Sequence, residues 1–130
     1  MRIDLARQFA DSWVTAWNSH DLEGVLSHFA DDAVFSSPVA AQLMPNTAGI
    51  LRGKEAIREY WSNGLTLIPD LRFEIQHVFV GLETVVITYR NQADRLVSEV
   101  LHFNDEGIVT SGAGTYLTDD AATATGASAR

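Results

Sequence analysis

The chain has 130 residues, 46% of them hydrophobic, and 9 basic against 17 acidic side chains give it a formal charge of −8. That length supports one small soluble domain with a single core and leaves no room for a second. With no Cys, disulfide frameworks, thiol nucleophiles and cysteine-held metal centres are excluded, and because the Lys and Arg never gather into a stripe, nucleic acid is not an expected partner.

The opening MRIDLARQFADSW mixes acids and bases among its apolar residues. It fits neither a signal peptide nor a membrane span, so no membrane partner is expected and a cytoplasmic location is the default. From Ile3 to Asn18, Leu5, Phe9, Trp13 and Trp17 recur every four positions, which predicts an amphipathic helix with an aromatic stripe. Asp21 is placed to cap a second helix whose face is Leu22, Val25, Leu26 and Phe29 and which ends near Asp31-Asp32. A short extended piece, Ala33 to Ser37, stops at Pro38, and the stretch to Arg52 reads as a long loop that could serve as a mobile lid. A third helix starts at Lys54, carries Ile57 and Trp61 on one face, and meets a stop at Asn63-Gly64.

After Pro69 the period changes to two. Leu71, Phe73 and Ile75 alternate with Arg72, Glu74 and Gln76, and further extended runs cover Val78 to Val80, Glu83 to Asn91, Arg95 to Phe103 and Ile108 to Leu117. Three helices followed by a meander of strands describe an α+β domain over residues 1–117, with helices packed on one face of a curved, mostly antiparallel sheet. Residues 118–130, rich in Ala, Thr, Gly and Ser, read as a free tail.

If Gln92-Ala93-Asp94 is a turn, Tyr89 stands opposite Val97, Ile87 opposite Glu99 and Val85 opposite Leu101. One face of this hairpin then holds Val85, Ile87, Tyr89, Val97, Leu101 and Phe103 with a single carboxylate, Glu99. Loss of hydration among such neighbours raises the pKa of an acid toward the range useful for proton transfer. The alternative is that Glu99 reaches the open end of the sheet or pairs with an Arg. His20, His28, His77 and His102 show no ligand spacing, and no metal is expected. Ser36 and Ser37 lack a hydrolase elbow and suit turn or cap chemistry. Gly112 and Gly114, inside a strand run, mark a bulge or room for a ligand against the backbone. Trp13, Trp17, Trp61 and Tyr116 are core residues by default, some of which would line any pocket.

The runs AWNSHDLEGVLSHFADDAVFSSP, LRGKEAIREYW, PDLRFEI and SEVLHFNDEGIV, followed by Tyr116, resemble the SnoaL-like branch of the nuclear transport factor 2-like superfamily over about residues 5 to 117. The resemblance implies a cystatin-like cone with a hydrophobic pocket at its wide end and a homodimer through the outer sheet face. Relatives of this kind include ketosteroid isomerases, polyketide cyclases, dehydratases and an epoxide hydrolase, and Glu99 matches the position of the isomerases' donor acid. Where those isomerases carry their proton-abstracting Asp, however, this chain has Ser37. Trp13, Phe29 and Trp61 stand at their Tyr positions, and Val97-x-Glu99 replaces the epoxide hydrolase's Arg-x-Asp. The expectation is therefore a cofactor-independent cyclase, isomerase or dehydratase that acts on a small hydrophobic carbonyl compound with Glu99 as acid and base. Trp13, Trp17, Phe35, Ser37, Trp61, Ile87, Tyr89, Leu101, Gly112 and Tyr116 would surround the substrate. The alternative is a non-catalytic module that binds a hydrophobic ligand or serves as a dimeric partner.

Overall fold

Helix α1 (Ile3–Asn18) buries Ala6, Ala10, Trp13 and Trp17. The expected stripe through Leu5 and Phe9 is displaced by one residue at its start, because four-residue steps overshoot the helical turn by about 40° each. The buried face follows steps of four, three and four, which leaves Leu5 exposed and Phe9 half-buried. This computed structural model describes residues 1–118, so the tail expected at 118–130 lies, except for Thr118, outside the described residues.

Asp21 does cap a second helix, accepting a hydrogen bond from the Gly24 N–H, but α2 (Leu22–Leu26) lasts one turn only. Phe29, expected on that helix, instead opens strand β1 (Phe29–Ser36), where it pairs with Val109. The stretch expected as a loop and lid is structured throughout. Ser37 accepts a hydrogen bond from the Val39 N–H and Pro38 takes the first turn of α3 (Pro38–Leu43), a position that suits a residue without an N–H. A 3-10 turn (Pro45–Thr47) and β2 (Ile50–Arg52) follow.

Helix α4 (Lys54–Leu67) runs straight through Asn63-Gly64. It ends where Pro69 forces Ile68 out of helical geometry, at φ −126° and ψ 75°. The chain thus has four α-helices among the described residues, not three. Of the strands after it, β3 (Glu74–Gly81) joins the two runs expected at 71–76 and 78–80, with a register shift between Ile75 and His77, and leaves Leu71 and Phe73 ahead of it, while β4 (Thr84–Arg90), β5 (Leu96–Phe103) and β6 (Val109–Tyr116) match the expected runs closely.

The six strands form one sheet in the order β2-β1-β6-β5-β4-β3. All neighbours are antiparallel except β1 and β6, which run parallel. Helix α1 packs against β3 and α4 against β1, so the core lies between the helices and the inner face of the curved sheet. This is the α+β, cystatin-like architecture that the sequence predicts. No helix among the described residues is long and apolar enough to cross a membrane.

Candidate active site

The β4–β5 register pairs Ile87 with Glu99, Tyr89 with Val97 and Val85 with Leu101. Strand alternation therefore sends Glu99 inward, where only 5% of its surface remains exposed. Among the described residues its carboxyl forms no ion pair with an Arg or Lys. The buried Tyr89 O–H donates a long, 3.4 Å hydrogen bond to Glu99 Oε1. Burial raises the Glu99 pKa from 4.5 to about 8, and the Tyr89 bond opposes this only in part. Burial, followed by the nearby Glu99 charge, raises the Tyr89 phenol well above its usual value, so it stays a neutral donor.

Glu99 borders a cavity with about 70 Å³ of room for the centres of water-sized spheres, several times the roughly 10–15 Å³ that one buried water needs. Of the other expected contact residues, Trp17, Phe35, Ser37, Trp61, Tyr89 and Tyr116 line this space. Trp13, Ile87, Leu101 and Gly112 do not line it. Trp13 packs into the core against Phe73 and Tyr89, while Ile87 and Leu101 are wholly buried further along the strands. Gly112 serves close packing: a Cβ there would lie 2.8 Å from Leu101 Cδ2 and 3.1 Å from Phe35 Cδ1. Gly114 does line the cavity, and a Cβ there would make ordinary contact with Phe35 Cζ at 3.7 Å and Ser37 Oγ at 3.8 Å.

The cavity sits at the end of the inner face where the β4–β5 turn, the ends of α1 and α4 and the segment before β3 converge. Sequence reasoning missed the part of the wall drawn from these places, notably Tyr60, Leu71, Phe73, Asn91 and Gln92. A signal for two of them is present in polar residues that hold backbone. The Asn18 side chain donates to the Phe73 carbonyl at 2.9 Å and accepts from the Phe73 N–H at 2.8 Å, and His20 Nε2 lies 2.9 Å from the Leu71 carbonyl oxygen. Together they tie the end of α1 to the strip that carries Leu71 and Phe73. The wall is largely aromatic, with Trp17 and Trp61 edge to face at 5.1 Å and Phe73 and Tyr89 at 4.3 Å. Ser37 Oγ and the Tyr60 hydroxyl, 3.4 Å apart, form a polar spot within it.

Such a site can enclose an apolar molecule, offer it a neutral carboxyl and take that carboxyl's proton back. Among the described residues no three His, Asp or Glu side chains gather as a metal site would require.

A family model described as a SnoaL-like domain matches residues 10–126 of the chain. A SnoaL-like protein of unknown function from Burkholderia thailandensis is 40% identical, with 90% of this chain and 98% of that one covered and a TM-score of 0.85. TerC, crystallised with polyporic acid, is 16% identical over 92% of this chain and 96% of its own, with a TM-score of 0.71. A candidate polyketide cyclase from Sinorhizobium meliloti is 13% identical over 83% of this chain and 94% of its own, with a TM-score of 0.67. These last two share the fold.

Proposed function

The chain belongs to the SnoaL-like domain family, and we propose that its cavity binds a small, mostly apolar carbonyl compound on which Glu99 acts as acid and base. The observation that carries this reading is a buried carboxyl without a cationic partner among the described residues, bordering an aromatic cavity and holding its proton up to about pH 8. Structural acids are usually paired or solvated, whereas an acid kept neutral near pH 7 is poised for proton transfer.

In the proposed step the Glu99 carboxyl gives its proton to the substrate's carbonyl oxygen. The carboxylate that results takes the proton from the carbon next to the carbonyl, which leaves an enol and restores the acid. Return of a proton at another carbon gives an isomerase, and attack of the enol carbon on a second carbonyl gives aldol-type ring closure. No further co-reactant is needed for either balance. The neutral Tyr89 O–H, 3.4 Å from Oε1, steadies the carboxylate between the two transfers.

The test is exchange of the α-hydrogens of 1-tetralone for deuterium, followed by NMR. The wild-type chain is expected to accelerate exchange, and Glu99→Gln to lose about 10²-fold or more of that acceleration. Equal rates in the two proteins remove Glu99 from the mechanism. A second reading, a non-catalytic ligand-binding module, draws on the absence of any other carboxylate among the described residues of the cavity wall. Binding of 1-tetralone by the wild-type chain with no exchange would favour it.

The proposal includes a homodimer through the outer sheet face. Support comes from one register row, in which Phe79, Val86, Val100, Ala113, Ser36 and Ile50 follow one another across all six strands. Its two ends, Phe79 and Ile50, are 57% and 39% exposed.

A further inference from the structure

Among the described residues of the cavity wall, Gln92 alone has a side-chain donor and acceptor that are both buried and both without a protein partner. It has no duty in the turn that carries it. Asn91 Oδ1 accepts the N–H groups of Ala93 and Arg95, both at 3.0 Å, and the Asn91 N–H donates to the Arg95 carbonyl at 3.0 Å. The turn is thereby closed without Gln92. A buried amide left unpaired on both sides is unfavourable in an empty site, and a ligand that pairs it recovers that loss.

Resting on the acid–base reading of the same cavity, we infer that Gln92 sets its specificity, selecting an uncharged ketone with a second oxygen group, at its far end, that both donates and accepts a hydrogen bond. Three observations converge on this class. Glu99 pairs with Ile87, three residues short of the last pair of the hairpin, Arg90 with Leu96, so about 10 Å of strand separates the Glu99 level from the turn. The backbone levels of the two polar poles are thus set apart along the apolar wall of Tyr89 and Val97, on the scale of a two-ring frame. No Lys, Arg or His is among the described residues of the wall, which disfavours an anionic ligand beside Glu99. A phenol or enol hydroxyl suits such an amide because it both accepts and donates, and can give Nε2 or Oε1 the partner that the protein does not supply. The unpaired, buried indole N–H of Trp17 supplies a further donor on the same wall.

The matched probes are 6-hydroxy-1-tetralone and 6-methyl-1-tetralone, of nearly equal shape, with dissociation constants measured by ligand-observed NMR titration of the full chain. The wild-type protein is expected to bind the hydroxy compound about ten-fold more tightly, and Gln92→Leu to bind the two alike. Circular dichroism of the variant confirms that it has folded. Equal affinities in the wild type, or a preference that survives in Gln92→Leu, overturn the role of Gln92 while leaving the carbonyl-binding reading in place. Failure of the wild type to bind either compound overturns that reading and this inference together.

Discussion

Glu99 carries a thermodynamic signature as well as a chemical one. Between 4.5, its ordinary pKa, and about 8 the folded chain keeps a proton that the unfolded chain has released. The contribution of Glu99 to stability is therefore complete below 4.5 and declines as pH rises through this window, by at most about 1.4 kcal/mol per pH unit. In Glu99→Gln that decline is expected to flatten, so that near pH 8.5 the variant withstands more urea than the wild type while being the less active protein. Chemical denaturation at pH 5 and 8.5 checks this, and parallel losses in the two proteins would mean that Glu99 is solvated. The inward course of Glu99 was legible because alternation along a strand needs only the register of one turn. Depth was not legible. Ile87 and Leu101 share its face, but the cavity occupies the end toward the turn, so they fall in solid core. Gln92 and Tyr60 were missed because a polar residue in a turn, or on a helix read only by its apolar face, carries no mark of burial.

At the level of elements, the site depends on a clamp between the end of α1 and the strip before β3. Asn18 satisfies both backbone groups of Phe73, a link across 55 positions of sequence. Asn18→Ala is expected to lower stability by about 1–3 kcal/mol and to weaken binding of 1-tetralone, since Leu71 and Phe73 would lose their anchor. Hydrogen exchange confined to residues 70–75 is the distinguishing measurement, because a general loss of packing would spread further. Long elements with many periods were legible here, α1, β4, β5 and β6 among them, whereas a register shift between Ile75 and His77 breaks the alternation of β3 and divided it into two expected runs. Short ones were not. Helix α2 has 5 residues and α3 has 6, fewer than two turns each, so no period could show. Phe29 satisfied a helical spacing and was taken by the sheet instead, because pairing with β6 answers its backbone groups. Gly64 proved a weaker stop than Pro69, whose ring acts directly on the residue before it.

For the molecule as a whole, the row from Phe79 to Ile50 is the face on which the proposed dimer would form. A second copy on this face would cover a stripe that a lone cone leaves to water. Val100→Asp, at the centre of the row and outside the cavity wall, is expected to convert a dimer to a monomer in sedimentation while retaining most 1-tetralone binding. A wild-type chain that sediments as a monomer across the micromolar range would remove the dimer from the proposal. The overall architecture was readable since the order of helices and strands leaves few ways to cover one sheet face. The outer row was not, because it appears only when all five registers are known. The aromatic cluster has a last consequence of an optical kind. The three tryptophans of the chain stand together, Trp17 edge to face with Trp61 and Trp13 one helical turn away, packed on the cavity-lining Phe73. Their excited states are close enough to share energy, so the protein carries its own fluorophore at the one place where an occupant would quench it.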